Sequence, residues 1–474
     1  MRYALRSLLA AVGLSACGGG STPGPATLVS QGTTLATGNA RADTLSHAPW
    51  SRNAVIYEVN VRQYTPEGTL GAFQRHLPRL EQLGVDILWM MPVQPIGRLH
   101  RKGALGSYYS IADYTAVDPA YGTAADFRAL VDAAHRRGMK VILDWVANHT
   151  AFDHPWATAH REWYALTPEG AIMNARDNEN RPTDWTDVAE LNYDNPQMRA
   201  AMIADMRFWI DSMGVDGFRC DVAGGVPDDF WVAARAALQT SRADVFLLAE
   251  AETPAAHAAF DMTYGWELHH LLNDVAQGRK PTSELDGYFV RQDSAYARDA
   301  YRMYFTSNHD ENSWQGSELE RMGANHVPAF VLAATVQNGM PLLYTGQEVS
   351  LRKRLRFFEK DTVDWSGPSL APFYRALFEL KESQPALGNG AWGGRQVPLR
   401  TVGGGGRVYA FTRTQGPNTV VVAVNFGDAP ASVAYSGLPR PGAYADWFAG
   451  RRVVSLPASG RLEIPAHGYR VLTR

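Results

Sequence analysis

Gly217-Phe218-Arg219-Cys220-Asp221 has the pattern of a short buried strand that ends in a polar site. Residues two apart on a strand point to the same face, so Arg219 and Asp221 would lie side by side. A neighbouring guanidinium favours the ionised carboxylate, and an ionised, oriented aspartate is suited to nucleophilic chemistry. Most such pairs are structural ion pairs, however, so the stretch needs support from the rest of the chain.

Short apolar runs alternate with amphipathic helical stretches from Trp50 onward, which is the pattern of βα units with a parallel sheet. The predicted strands are 55–59, 87–91, 141–144, 217–221, 245–250, 259–262, 303–306 and 342–345. This number of units favours an α/β fold of the (β/α)8 TIM-barrel type. A doubly wound sheet is the alternative, but it predicts a Gly-rich phosphate turn after the first strand, and none follows Val59.

Two regions depart from the barrel pattern. Residues 150–193 are polar and rich in aromatic side chains, and structureless loops of that length are uncommon, so they predict a small inserted domain. Residues 387–474 contain alternating Val-rich runs broken by Gly, Pro and Asn, which predict a C-terminal antiparallel β-sandwich. The barrel would then comprise residues 47–149 and 194–386.

The N-terminus resembles a bacterial lipoprotein signal. Residues 1–16 combine Arg2 and Arg6 with a short apolar run, and Cys17 follows Leu14-Ser15-Ala16. We expect cleavage before Cys17, lipidation of that residue, and a flexible tether over residues 17–46 that is too poor in large apolar side chains to fold. An ordinary cleaved signal is the alternative.

The protein is therefore expected to be exported and lipid-anchored at the cell envelope, on the outer membrane or the periplasmic face. A formal net charge of −3 gives no electrostatic case for nucleic acid or an anionic membrane surface. Membrane contact would be made only through the N-terminal lipid, and the sequence leaves the oligomeric state open.

Polar side chains follow the ends of the predicted strands. In a TIM barrel those ends meet at one mouth, which would bring together Asp144, Asn148, His149, Arg219, Asp221, Glu250, Asn308, His309 and Asp310. The sequence contains no His-x-x-x-His, Cys-x-x-Cys or Gly-x-Ser-x-Gly pattern, so metal hydrolysis and serine-triad chemistry lack support. Paired carboxylates together with aromatic side chains are what cleavage of a glycosidic bond requires.

Four segments resemble the signature regions of the α-amylase superfamily, glycoside hydrolase family 13. They are 144–149, 217–221, 248–250 and 305–310, and weaker matches occur at 107–114, 188–192 and 339–348. The resemblance covers residues 50–474 and includes the inserted B domain and the C-terminal β-sandwich of that family. It implies that Asp221 is the nucleophile, Glu250 the general acid/base, with Glu252 as a nearby alternative, and Asp310 a carboxylate that binds substrate hydroxyls.

The same resemblance implies a set of substrate-binding residues. Arg219 would orient Asp221, and Asp144 would support it. His149 and His309 would hydrogen-bond the hydroxyls of the sugar being cleaved, and Tyr109 would stack beneath that sugar. The partner would accordingly be an α-glucan.

Two departures from the family concern the surroundings of this site. Many amylases carry a Lys-His pair where this chain has Gly224 and Gly225, which predicts an open space on the acceptor side. The chemistry needs no cofactor, and a structural calcium ion held by Asn148 and Glu190 is left open, because the family often has Asp in place of that Glu.

The resemblance implies a retaining α-glucan hydrolase that cleaves α-1,4-glucosidic bonds in starch-derived polymers or maltooligosaccharides. A glucanotransferase or isomerase of the same superfamily is the alternative. A lipoprotein that binds glucan without cutting it is a third reading, but it would have no need of Glu250.

Overall fold

The structure, a computed structural model, describes residues 45–474. The predictions for the export signal, for Cys17 and for most of the tether lie outside these residues. Within residues 45–474, no helix has the length and apolar character that crossing a bilayer requires.

A closed barrel of eight parallel strands forms the centre of the molecule. The strands up to residue 344 are β1 (Ile56–Val59), β2 (Ile87–Met90), β3 (Lys140–Val146), β4 (His149–Ala151), β5 (Val188–Glu190), β6 (Gly217–Asp221), β7 (Phe246–Ala249), β8 (Met262–Tyr264), β9 (Tyr301–Phe305) and β10 (Gly339–Tyr344). All except β4 and β5 belong to the barrel, in the order β1-β10-β9-β8-β7-β6-β3-β2. The predicted TIM barrel is confirmed.

One predicted strand is displaced along the chain. The run predicted at 259–262 pairs only from Met262 onward, because Pro254–Ala258 form a 3-10 helix and Asp261 turns its carboxylate to the Leu247 N–H at 2.9 Å.

Helices surround the barrel. They are α1 (Val61–Tyr64), α2 (Leu70–Gln74), α3 (Leu77–Leu83), α4 (Ala124–His135), α5 (Pro155–Ala159), α6 (Pro196–Asp211), α7 (Asp228–Ser241), α8 (Trp266–Ala276), α9 (Glu284–Ala295), α10 (Glu318–Met322), α11 (His326–Thr335) and α12 (Ala371–Ser383). Local sequence fixes several of their ends: Thr123 and Asp126 form a capping box at α4, and the Asn195 side chain caps α6.

Strand β6 alternates between two hydrophobic layers. Phe218 and Cys220 belong to the large cluster between the strands and the helices, whereas a separate cluster containing Ile142 and Leu248 fills the barrel interior. Period-two alternation therefore turns Arg219 and Asp221 inward, as the sequence predicts. At the start of the strand, a Cβ atom on Gly217 would lie 1.8 Å from the Phe246 carbonyl oxygen, so the close approach of β6 to β7 requires glycine.

The segment between β3 and α6 is compact rather than structureless. Strands β4 and β5 pair antiparallel, and α5 lies between them in sequence. Trp163 and Tyr164 are buried and join the main hydrophobic cluster. This arrangement holds residues 184–188 at the edge of the barrel mouth.

The C-terminal region consists of antiparallel strands. They are β11 (Gln396–Pro398), β12 (Arg400–Val402), β13 (Val408–Gln415), β14 (Asn418–Asn425), β15 (Ala431–Ser436), β16 (Gly442–Asp446), β17 (Arg452–Leu456), β18 (Ser459–Ile464) and β19 (Gly468–Thr473). They form a six-stranded and a three-stranded sheet. Inward residues of both sheets, including Val421, Leu472, Val433 and Leu462, share one hydrophobic cluster, which makes the unit a β-sandwich.

Candidate active site

Arg219 occupies the floor of the barrel mouth and contacts three carboxylates. Its Nη1 donates to Asp144 Oδ1 at 2.8 Å and to Asp221 Oδ1 at 2.7 Å. Its Nη2 lies 2.8 Å from Glu250 Oε2. The guanidinium is fully buried, so water cannot compensate the charges around it. Three acidic side chains share one positive charge, so the group carries net negative charge when all three acids are ionised.

The pKa values of both Asp221 and Glu250 are raised. Burial raises the pKa of Asp221 to about 6, although Arg219 opposes the rise. Burial also raises the pKa of Glu250 to about 7, again against Arg219, and the charge of Asp221 adds to the rise. Burial and the charge of Asp221 both raise the pKa of Glu250, which favours a protonated Glu250 beside an ionised Asp221.

The backbone after β6 orients Glu250. The Val222 N–H donates to Glu250 Oε2 at 3.0 Å. Val222 has φ 44° and ψ 42°, a left-handed conformation that a β-branched side chain rarely adopts. Strain of this kind persists where surrounding contacts over-determine it, and here it directs a backbone donor at the carboxylate.

His309, which follows β9, connects strand β1 to the side chains of this site. Its Nδ1 lies 2.5 Å from Glu58 Oε1 on β1, and its Nε2 lies 2.7 Å from the Tyr109 hydroxyl and 3.2 Å from Asp310 Oδ2. The Tyr109 hydroxyl in turn donates to Asp144 Oδ2 at 3.0 Å. Asp310 is therefore connected to the floor of the mouth through two side chains.

His149 faces the same cavity but is uncharged. Burial lowers its pKa to about 3. Its Nδ1 lies 3.3 Å from the amide nitrogen of Asn148. With Nδ1 facing this amide donor, the hydrogen of the neutral imidazole lies on Nε2, which can donate to a sugar hydroxyl, the contact that the sequence resemblance implies for it.

The mouth contains a cavity of about 560 Å³. Charged, polar and aromatic side chains line it, namely Lys102, Ser107, Tyr109, His149, Asp184, Trp185, Asp187, Asp221, Glu250, His309, Asp310, Trp314, Phe357 and Phe358, together with Val188 and Val222. Tyr109 stacks near Phe357 with ring centroids 6.2 Å apart, and Phe357 lies 5.2 Å from Trp314. The aromatic row extends from the catalytic floor toward solvent, where Trp314 is half exposed.

Six of the eight predicted catalytic and substrate-binding residues line this cavity. The other two, Asp144 and Arg219, have 0% exposure and lie beneath the floor, where Arg219 contacts both Asp221 and Asp144, the supporting arrangement that the sequence resemblance implies for them. They hold Asp221, Glu250 and Tyr109 instead of contacting a sugar. The alternative acid Glu252 pairs with Arg302 and is absent from the cavity lining.

The space predicted to be open beside Gly224 and Gly225 is filled. The Gly224 N–H donates to Asn178 Oδ1 at 2.8 Å, and a Cβ atom on Gly224 would lie 2.8 Å from that oxygen. A Cβ atom on Gly225 would lie 2.8 Å from Asn148 Oδ1 and 3.2 Å from the Asp177 carbonyl. The glycines thus make room for the inserted segment, which sequence reasoning did not predict.

The two residues proposed for calcium are engaged by the backbone of Arg176. Asn148 donates to the Arg176 carbonyl at 3.0 Å, and Glu190 accepts from the Arg176 N–H at 2.8 Å. Burial raises the pKa of Glu190 to about 7, so the carboxyl is a weak anion. Across residues 45–474, no cluster of three or more His, Cys, Asp or Glu side chains is arranged to hold a metal ion. Calcium takes six to eight oxygen ligands, and this pair fits a peptide group rather than that ion.

Sequence reasoning also missed Glu58 and the aromatic row of Trp314, Phe357 and Phe358. Glu58 had a signal, because it is a single charge inside the otherwise apolar strand run 55–59. Trp314 lies in the π-helix Glu311–Gln315 directly after Asp310, and such π turns frequently occur at functional sites. Phe357 and Phe358 lie in a loop, and the contacts of a loop cannot be predicted from the sequence pattern.

A parallel barrel with paired buried carboxylates at its carboxyl-terminal mouth has the arrangement that cleavage of a glycosidic bond requires. Sequence comparison agrees: residues 38–366 match the α-amylase catalytic domain, and residues 403–472 match the α-amylase C-terminal all-beta domain. The chain belongs to the α-amylase family.

Its relatives within that family differ in activity. The chain is 31% identical over 411 residues to α-amylase MalA of Haloarcula japonica, covering 82% of this chain and 57% of that protein. It is 28% identical to α-1,4-glucan:maltose-1-phosphate maltosyltransferase 1 of Streptomyces coelicolor, covering 81% of this chain and 59% of that protein. The chain thus spans somewhat more than half the length of these two relatives.

Two solved structures are similar over nearly their whole length. An α-amylase from Lactobacillus plantarum superposes with a TM-score of 0.79 at 30% identity, covering 90% of this chain and 99% of that one. The maltogenic α-amylase AmyB from Thermotoga neapolitana superposes with a TM-score of 0.79 at 28% identity, covering 89% and 98%.

Proposed function

We propose that the protein is a retaining hydrolase of α-1,4-glucosidic bonds in starch-derived polymers or maltooligosaccharides. The observation that carries the proposal is the position of Asp221 and Glu250 on one buried guanidinium, with the pKa of Glu250 raised to about 7 and that of Asp221 to about 6. An ionised nucleophile beside a protonated acid is the pair that a two-step displacement needs.

The chemistry follows from this pair. Asp221 attacks the anomeric carbon and forms a glycosyl ester, while Glu250 gives its proton to the departing glycosidic oxygen. Glu250, now ionised, takes a proton from water, and the resulting hydroxide cleaves the ester with net retention of configuration. In this proposal Asp310 binds substrate hydroxyls, and Tyr109 offers an aromatic face to the sugar ring.

A glucanotransferase or isomerase is the second candidate. The similarity to a maltosyltransferase favours it, and so does the aromatic row through Phe357 and Trp314, because an apolar wall can hold a sugar acceptor in place of water. The two candidate functions share the glycosyl-Asp221 intermediate. They differ only in the molecule that attacks it, which is water in a hydrolase and a sugar hydroxyl in a transferase or isomerase.

Product analysis separates the candidates. We expect maltotriose and longer oligomers to yield only shorter products, with the α-anomer of the new reducing end appearing first in the ¹H NMR spectrum. Products longer than the substrate would show transfer, and an initial β-anomer would contradict a retaining mechanism. Glu250→Gln is the control for enzyme-dependent cleavage, since it preserves the shape of the side chain and removes its proton transfer.

We also propose that the enzyme is exported and lipid-anchored through Cys17. The support is the arrangement of Arg2, Arg6, the apolar run and Cys17 in the sequence. Labelling of expressing cells with a radioactive fatty acid should tag the wild-type chain and leave Cys17→Ala untagged. Equal labelling of both chains, or of neither, would contradict the anchor.

A further inference from the structure

Glu58 is a buried acid that the proposed chemistry does not use. It lies in β1 with 0% exposure, and its Oε1 atom is 2.5 Å from Nδ1 of His309. Its second oxygen, Oε2, has no hydrogen-bond partner within residues 45–474. A carboxylate buried at this depth is costly unless it is paired, so its single close partner is the feature to explain.

Counting protons around His309 fixes what that partner is. The Tyr109 hydroxyl has one proton, which it donates to Asp144 Oδ2 at 3.0 Å, so toward His309 Nε2 at 2.7 Å its oxygen can only accept. The carboxylate of Asp310, 3.2 Å from the same Nε2, is also an acceptor. Nε2 therefore carries a hydrogen.

The other ring nitrogen faces the carboxylate of Glu58, which when ionised is likewise only an acceptor. With Glu58 ionised, both nitrogens would carry hydrogens, and His309 would be an imidazolium ion paired with Glu58.

Every charged group packed around the imidazole is consistent with this count. Burial lowers the pKa of His309, but Asp310 and Glu58 outweigh it and Arg219 only partly opposes them, so the pKa rises to about 9. Burial raises the pKa of Asp144 on β3, on the side of Tyr109, and the nearby charges of Arg219 and His309 oppose that rise. Burial raises the pKa of Glu58, and the positive charge of His309 opposes that rise.

We propose that Glu58 is a positioning residue that holds His309 doubly protonated, so that its Nε2–H is a fixed donor at the cavity wall, shared among the Tyr109 oxygen, the Asp310 carboxylate and the hydroxyl of an incoming sugar. The role rests on the proposed function, because it concerns the sugar in that site. The reaction develops positive charge on the sugar ring, which an unpaired cation would oppose. The paired anion of Glu58 keeps the donor strong while making the His309–Glu58 unit neutral overall.

The test reads the charge of His309 directly. In the full chain labelled with ¹⁵N-histidine, we expect both ring nitrogens of His309 to show imidazolium shifts at pH 7.5, with the resonance assigned by its loss in His309→Gln. In Glu58→Gln the amide can still accept from Nδ1–H but carries no charge, so the ring should show neutral shifts at pH 7.5. Neutral shifts in the wild type, or imidazolium shifts in Glu58→Gln, would overturn the proposal.

Kinetics give a second readout. Partners that orient metal-bound histidines contribute about 10- to 100-fold, and by analogy we expect kcat/KM of Glu58→Gln on maltooligosaccharides to fall by a factor of this order. The decrease should become smaller at low pH, where the imidazole is protonated without Glu58. A decrease of the same size at every pH would contradict a role through the charge of His309.

Glu318→Gln is the matched control. Glu318 is another buried acid beside a histidine, with Oε1 3.3 Å from His326 Nδ1, and it lies outside the cavity lining. It should leave both the His309 shifts and the pH profile unchanged. Because the NMR measurement uses no substrate, it decides the role of Glu58 even if the enzyme proves inactive on α-glucans. If Glu58→Gln does not fold, the wild-type spectrum alone decides, since neutral His309 at pH 7.5 contradicts the count.

Discussion

The two ends of strand β6 each carry a buried aspartate, and the two are treated in opposite ways. Asp216, just before the strand, accepts from Lys140 at 3.1 Å, Arg242 at 2.9 Å and the Val141 N–H at 2.9 Å, and lies 2.7 Å from His135. Burial opposes ionisation there, but the hydrogen bonds of His135 and Val141 dominate and lower the pKa of Asp216.

Asp221, at the other end, must share its single cation. Arg219 also pairs with Asp144 and Glu250, and the pKa of Asp221 is raised to about 6. The same residue type five positions apart is thus stabilised as an anion at one end and kept close to protonation at the other. The difference is the number of hydrogen-bond donors and cations available to each acid, and it matches the division of a TIM barrel into a stabilising amino-terminal face and a reactive carboxyl-terminal face.

The largest effect is expected from removing the charge of Asp221. Asp221→Asn keeps the size of the side chain but removes the proposed nucleophile, so kcat on maltooligosaccharides should fall by about 10⁴-fold or more. The circular dichroism spectrum should be unchanged and the thermal midpoint should not fall, because the variant removes a carboxylate whose ionised form is destabilised by burial in the folded protein. Activity within tenfold of wild type would contradict the assignment of Asp221.

The sequence predicts the fold and the residues of the mouth because both depend on local pattern. Apolar runs locate the barrel strands, and strand ends in a parallel barrel necessarily meet, so Asp221, Glu250 and Asp310 could be assigned to one site before any coordinates. The resemblance to known signature regions narrowed the chemistry further.

What the sequence could not predict depends on contacts between distant segments. The pairing of Glu58 with His309 joins residues 251 positions apart, and the bond from Gly224 to Asn178 joins a strand end to a variable insertion. The burial of Asp144 and Arg219 below the floor depends on how the strands pack, which a motif does not record. Sequence pattern therefore predicted open space at Gly224, whereas the insertion fills it.

The second prediction concerns the stabilising end. Asp216→Asn leaves Lys140 and Arg242 without their buried counter-charge. Because these cations are 27% and 25% exposed, the cost should be below the roughly 3–5 kcal/mol of breaking a fully buried ion pair. Urea denaturation at pH 7 should show this decrease in the free energy of unfolding, while kcat per folded molecule stays unchanged.

The pH dependence of that decrease checks its cause. A carboxyl whose pKa is lowered by folding stabilises the protein above its unfolded pKa of about 4, and loses this effect as the pH falls toward the folded value. The difference between Asp216→Asn and wild type should therefore shrink below pH 4. A constant difference down to pH 3 would mean that packing, not charge, is responsible.

The third prediction uses Glu250, where the sign is reversed. Its folded pKa of about 7 is above the unfolded value, so the folded state binds the extra proton and stability falls as the pH rises from about 4 to 7. Glu250→Gln cannot ionise, and it should be more stable than wild type by roughly 1–3 kcal/mol at pH 8, with no gain at pH 4. Equal denaturation midpoints at pH 8 would show that the fold tolerates the charge of Glu250 without cost.

The smallest effect is expected where the chain leaves β6 after Asp221. A Cβ atom in Gly224→Ala would lie 2.8 Å from Asn178 Oδ1, the end of a flexible side chain that can move aside at the loss of its bond from the Gly224 N–H. We expect a decrease of about 0.5–1.5 kcal/mol in unfolding free energy, the usual net contribution of one hydrogen bond.

Since the inserted segment reaches the mouth through Trp185, KM of Gly224→Ala for maltooligosaccharides should rise by a few-fold at nearly constant kcat. Gly71→Ala, which places its methyl group in open space on α2, should leave KM unchanged and should not lower the unfolding free energy, because alanine favours a helix over glycine by about 0.5–1 kcal/mol. Asn178→Ala should reproduce the change in KM. If Gly224→Ala instead lowers kcat and leaves KM unaltered, the contact serves the catalytic end of the strand itself, and the insertion does not shape the acceptor side.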